Sequence, residues 1–125
     1  MIRFSETFLD VLNHEGVVSV TSWSDDNVHV ANTWNSYLRI TDDGRILIPA
    51  AWFNRSQKNI DAQNKMILTL GSHEVEGKMG MGTGFVIDGT AEFLMEGAEY
   101  EMMKEAFPFL TRVLTVTPEK IRQTI

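Results

Sequence analysis

A chain of 125 residues with 43% apolar and 22% charged residues has the size and balance of one globular domain that buries its core without staples. Its net charge of −6, with 11 Lys and Arg scattered and no denser basic cluster than Arg55 with Lys58, argues against a nucleic-acid partner, and no apolar run is long enough to span a membrane. Having no cysteine, it has no disulfide, thiolate metal site, cysteine-ligated cluster or cysteine nucleophile; Met1-Ile2-Arg3-Phe4-Ser5-Glu6 lacks the apolar stretch of a signal peptide, so a cytoplasmic location is expected.

Residues 5–15 read as a helix. Ser5 is its N-cap, Gly16 stands at the left-handed C-cap position, Phe4 and Leu9 are spaced as a hydrophobic staple, and Phe8, Val11 and Leu12 form the inner stripe. The period then changes: residues 17–23 are β-branched and strand-like, residues 24–27 form a turn, and residues 28–40 form a second strand. Thr41-Asp42-Asp43-Gly44 is a hairpin turn leading to a third strand, Arg45 to Pro49. A short helix is predicted over 56–64 and a strand over 65–71. A glycine-rich loop over 77–84 and a long strand over 85–95 follow. A helix over 98–107 stops at Pro108; the last strand covers 112–117, and Pro118 opens a short helical turn. About six strands joined largely by tight turns, with a few short helices, predict a mainly β fold. The expected form is a six-stranded antiparallel barrel, closed so that no edge is left exposed, as one domain over residues 1–125.

Little points to conventional catalysis. His14, His29 and His73 lack metal-ligand spacing, and neither a Gly-x-Ser-x-Gly elbow nor a phosphate-loop lysine is present. Gly80-Met81-Gly82-Thr83-Gly84-Phe85 precedes a strand, whereas a dinucleotide fingerprint opens a helix; it reads as a loop, or as a place where a ligand or second subunit approaches the backbone. Asn54-Arg55-Ser56-Gln57-Lys58-Asn59 follows an apolar strand and opens a helix. It is either an anion site, with an Arg55 fork, a Ser56 hydroxyl and free N–H groups, or an ordinary surface helix start. Asn32-Thr33-Trp34-Asn35-Ser36-Tyr37 places polar and aromatic residues mid-strand. Trp34 and Tyr37 have opposite parity, so only a bulge or bend brings both to one flat ligand; core aromatic packing is the alternative.

With Asn13-His14-Glu15-Gly16-Val17-Val18, Leu70-Gly71-Ser72, Gly82-Thr83-Gly84-Phe85 and the closing Gln123-Thr124-Ile125, these residues make the chain resemble, nearly end to end, the small FMN-binding proteins of sulfate-reducing bacteria. Those are relatives of the pyridoxamine 5′-phosphate oxidase-like split barrels. The resemblance implies a homodimer with FMN at or near the subunit interface. It implies that Asn32, Thr33 and Trp34 line the flavin, with Trp34 and Tyr37 near the isoalloxazine, and that Arg55 and Ser56 bind the phosphate. The family pattern there is Lys-Thr, so charge and hydroxyl are both retained, and Gln57 replaces a usual glutamate. Glu15 matches an acidic residue near the flavin, Phe109 stands where the family has a second tryptophan, and Ile125 matches a leucine that covers the ring from the partner subunit. Pro49 and Ala50, with Trp34 and Phe109, are expected to wall the ring.

Three functions remain open at this level. An FMN electron carrier exchanges electrons with a redox protein partner and needs no general acid or base. A flavin reductase or related oxidoreductase needs open space over the flavin for NAD(P)H or a small substrate. A flavin-free or haem-binding barrel would serve for interaction; to hold haem it would need His14, His29 or His73 to ligate iron, which their spacing does not recommend.

Overall fold

The computed structural model describes residues 3–125. The first helix, α1 (Glu6–Leu12), begins where Ser5 Oγ accepts the Phe8 N–H at 3.1 Å, and it buries Phe8 and Val11 completely. Phe4 stacks on Phe8 with centroids 5.0 Å apart, and Leu9 stays 43% exposed. The helix ends earlier than expected, with Asn13 as C-cap in right-handed backbone. Gly16 is required by space instead: a Cβ there would lie 2.3 Å from the Gly71 carbonyl oxygen.

Strands β1 (Val17–Ser24) and β2 (Asn27–Trp34) form a hairpin. The predicted strand 28–40 is broken, because the backbone turns through a 3₁₀ turn at Asn35–Tyr37 and resumes as β3 (Arg39–Ile40). Asn35 holds that turn. Its N–H donates to Gly16 O at 2.9 Å, and its amide donates to Val11 O, His14 O and Gly71 O at 3.3, 2.9 and 2.9 Å. Then come β4 (Ile46–Ala50), α2 (Asn54–Ala62), β5 (Lys65–Glu76), β6 (Met81–Leu94), α3 (Ala98–Ala106) and β7 (Arg112–Gln123). Only residues 77–80 of the glycine-rich run are irregular; Gly82 to Gly84 belong to β6, with Ser72↔Thr83 and Gly71↔Gly84 paired. Pro118 opens no helix. It sits where the β6–β7 register shifts: Gly89 pairs with Pro118 and Asp88 with Lys120, so the missing proline N–H falls at a bulge.

All strand pairs are antiparallel, in the order β2-β1-β5-β6-β7-β4-β3. The expected six-stranded closed barrel is therefore corrected on both counts: among the described residues the sheet has seven strands, and its end strands β2 and β3 do not pair with each other. The turn at 35–37 cuts one long strand in two, and β3, two residues long and bonded to β4, is too short to carry the ladder round to β2. The main core gathers Phe8, Val20, Ile48, Leu68 and Ile87, and a smaller cluster under α3 holds Leu47, Met103, Leu110 and Val113. Each such side chain contributes about 1.5–3 kcal/mol by leaving water. Among the described residues no helix is long and apolar enough to cross a membrane.

Candidate functional site

The first turn of α2 gathers positive charge in an acidic chain. Its N-cap, Phe53, offers no side-chain acceptor, no acidic residue occupies the turn, and the first backbone bond of the helix is Gln57 N–H to Phe53 O at 2.8 Å. The N–H groups before Gln57 therefore have no intrahelical acceptor. A cavity of about 310 Å³ lies beside the turn, lined by Asn27, Val28 and His29 from β2 and by Arg55, Lys58 and Asn59 from α2. Ser56 is fully buried and its Oγ has no hydrogen-bond partner. Gln57 Oε1 accepts from Arg112 Nη1 at 2.5 Å, which brings a third cation to the same turn. Such an arrangement suits an anion with several acceptor oxygens.

At the other end of the β1–β2 hairpin is a shallow cleft of about 460 Å³, bounded by Glu15, His73 and Ile125 and floored by Gly16, Gly71 and Gly84. The glycines let three chain segments approach closely: a Cβ on Gly71 would lie 2.6 Å from Thr83 O. The floor is therefore bare backbone, the kind of surface that takes a flat ligand. Glu15, at the rim, accepts from Ser36 Oγ at 2.7 Å and from Ser36 N–H at 3.2 Å. The Ser36 hydroxyl is the main cause holding its carboxyl below the ordinary carboxylate range. Ile125 remains 54% exposed.

The aromatic residues divide. Tyr37, Phe107 and Phe109 form a triangle with centroids 5.2, 5.6 and 5.9 Å apart, and the Arg39 guanidinium lies 4.8 Å from the Phe107 ring centre. Trp34 stands apart from this triangle, 45% exposed at the end of β2 and paired with Val17. Asn32, on the same face of β2, is exposed, whereas Thr33 turns inward and is buried. Pro49 and Ala50 are buried in β4, and the Ala50 carbonyl accepts the Thr111 N–H at 2.9 Å.

The structure thus brings Arg55, Ser56 and Gln57 together on one turn, Tyr37 with Phe109, and Glu15 with Ile125. It keeps the α2 cavity and the Ile125 cleft well apart: roughly 17 Å along β2 from His29 to Trp34, and about 14 Å across the sheet from β2 to β6. Sequence reasoning paired Arg55 with Lys58 without giving Lys58 a role, and missed His29 and Arg112 as companions of Arg55. Lys58 was legible, since its spacing from Arg55 puts both on one helix face. Arg112 carried no such signal; the β4–β7 register, Ala50↔Arg112, brings it there.

Residues 4–125 match the pyridoxamine 5′-phosphate oxidase family. The chain is 38% identical over 119 residues to the FMN-binding protein of Nitratidesulfovibrio vulgaris (strain Miyazaki F), covering 95% of this chain and 97% of that one. Among solved structures it is similar in fold to Group A Streptococcus HupZ, with TM-score 0.79, 19% identity, and 97% and 94% of the two chains covered. It is also similar to an FMN-binding protein of Syntrophomonas wolfei, with TM-score 0.66, 16% identity, and 86% and 76% covered. A family match across nearly the whole chain, with a relative this similar over its full length, places the chain in the pyridoxamine 5′-phosphate oxidase family.

Proposed function

We propose that this chain is a single FMN-binding domain over residues 1–125 that holds FMN non-covalently in a homodimer and exchanges electrons with a redox protein partner. The observation that carries the reading is the first turn of α2, where Arg55 and Lys58 line a cavity, the first helix N–H groups lack an acceptor, and Ser56 between them keeps a buried hydroxyl without a partner. A phosphomonoester is a dianion whose oxygens satisfy such donors. The family, and the name of its 38% identical relative, point to the same ligand. FMN fits the residues present: the orphaned Ser56 hydroxyl beside the Arg55 turn suits its phosphate, and the open, glycine-floored cleft beside Ile125 suits its ring.

When bound, FMN supplies one- and two-electron redox chemistry; the protein supplies binding, orientation and field. Arg55 and Ser56 hold the phosphate, with Gln57 kept beside them by Arg112. Asn32, Thr33, Trp34 and Tyr37 line the flavin, with Phe109 packed on Tyr37 and Pro49 and Ala50 behind. Glu15 places negative charge near the ring, which disfavours the anionic reduced flavin. Two observations support the homodimer. Strand β2 ends the sheet and exposes Val28, Val30 and Trp34, an apolar edge that calls for a cover. The separation of the α2 cavity from the Ile125 cleft within one chain also accords with the resemblance, which has the residue at Ile125's position covering a flavin of the partner subunit.

The alternative, an oxidoreductase drawing on NAD(P)H or a small substrate, is favoured by the activity for which the family is named. The visible spectrum of fresh protein and an anaerobic nicotinamide titration separate the two. Flavin bands that bleach with dithionite but resist NADH and NADPH support the carrier, and rapid bleaching by either nicotinamide supports the enzyme. Arg55→Ala is expected to weaken FMN binding about tenfold or more while sparing riboflavin, which lacks the phosphate. Equal losses for both flavins would remove Arg55 from the phosphate site.

A further inference from the structure

Gln123 ends β7, paired with Phe85, and residues 124–125 beyond it are still fastened at each position. The Thr83 hydroxyl donates to Ile125 O at 2.7 Å. Gln123 Nε2 bridges the same two groups, at 3.1 Å to Thr83 Oγ1 and 3.1 Å to Ile125 O. Thr124 donates twice to Gly84 O, from N–H at 2.8 Å and from Oγ1 at 3.1 Å, and Lys78 Nζ donates to Gln123 O at 2.9 Å. Gly77 leaves room for this path, since a Cβ there would meet Ile125 O at 2.8 Å.

Two features make this more than ordinary strand fraying held in check. Thr83 is only 3% exposed and shares its face of β6 with the buried, apolar Phe85 and Ile87. A hydroxyl at such a depth is costly unless bonded, and the bonds it makes run to Gln123 and Ile125. Meanwhile the Ile125 side chain, whose backbone is so firmly held, is 54% exposed and lines the glycine-floored cleft. The bonds therefore fix the place of an apolar side chain that rests beside Gly84 and still leaves about half of its surface open on the cleft.

We infer that Thr83 and Gln123 form a latch that positions Ile125 as an apolar wall against the flavin ring. The inference rests on the flavin reading above. Thr83 and Gln123 are positioning residues, acting through Ile125 and not by touching the ligand. Because the latch acts on the ring, it affects FMN and riboflavin alike, unlike Arg55.

The test is flavin titration of the full-length protein carrying Thr83→Val, Gln123→Met, Thr83→Ser, Ile125→Ala, and Thr83→Val with Ile125→Ala. The loss of one such hydrogen bond corresponds to about threefold to tenfold in affinity. Thr83→Val and Gln123→Met are each expected to weaken FMN and riboflavin by that factor and to blur the fine structure of the bound flavin's visible band, while Thr83→Ser restores both. In the Ile125→Ala background, Thr83→Val is expected to add nothing, since the wall is already gone. Wild-type affinity for both flavins in Thr83→Val and Gln123→Met would overturn the latch. So would a Thr83→Val effect that adds in full to that of Ile125→Ala, because it would then act through the strand. Wild-type protein that takes up neither flavin would overturn the flavin reading itself, and the latch with it.

Discussion

Replacing Asn35 with alanine tests the joint on which the front of the molecule hangs. Its amide nitrogen carries two hydrogens and faces three carbonyl oxygens, those of Val11 at the end of α1, His14 before β1, and Gly71 in β5. The opposite amide orientation would set Oδ1 against those same three oxygens, so the assignment is forced by repulsion. Two net hydrogen bonds, together with the desolvation of the carbonyls left behind, amount to roughly 2–4 kcal/mol. Alanine also removes Asn35 Oδ1, which is buried without a partner. Recovering about 1 kcal/mol of that penalty leaves an expected loss of roughly 2–3 kcal/mol, a large share of the ~5–15 kcal/mol typical of a domain. Urea unfolding of the apoprotein measures it directly, without interference from ligand. Asn35→Asp, the same size, is expected to lose more at pH 7 than at pH 4, because ionisation points a charge at three carbonyl oxygens. Unfolding free energies for Asn35→Ala within about 0.5 kcal/mol of wild type would refute the reasoning and make the 35–37 turn self-sufficient.

Two further perturbations read other parts of the structure. Trp52 is 89% exposed and holds a left-handed backbone with φ +65°. Relief of about 1–2 kcal/mol of strain in Trp52→Gly, less ~0.5–1 kcal/mol of added chain entropy, predicts a small rise in melting temperature; a fall would mean that the indole makes stabilising contacts. Glu15 has its carboxyl held below the ordinary value of 4.5, mainly by the Ser36 hydroxyl. Its folded-state pKa is depressed, so its contribution is present above that ordinary value and is lost as pH falls through the folded one. Glu15→Gln should therefore be less stable than wild type at pH 7, with the gap closing in acid, and it should raise the midpoint potential of bound FMN. An unchanged potential would place Glu15 away from the ring.

Legibility followed the range of the interactions. The Ser5 cap, the Phe8 and Val11 stripe and the Asp-Gly hairpin depend on neighbours a few residues apart, and all could be read along the chain. Where the reading failed, a distant partner had decided. Residues 28–40 look like one strand until Gly16 O, Val11 O and Gly71 O take up the donors of Asn35 and turn the chain aside. Gly16 looks like a helix cap, but it is a point of contact between two backbones. Pro118 looks like a helix start, but it occupies a bulge that only the β6–β7 register defines.

The candidate site divides the same way. Residue types could be read along the chain: a cation and a hydroxyl opening a helix, a polar and aromatic run in a strand, and the family those residues resemble. Local chemistry and spacing are enough for that. It took the packed sheet to bring His29 and Arg112 round Arg55's turn, to set Trp34 apart from Tyr37 and Phe109, and to let Thr83 reach across to hold Ile125. Those relations belong to strand register and to the order β2-β1-β5-β6-β7-β4-β3, which is set by how the whole apolar surface closes over itself and by no single segment.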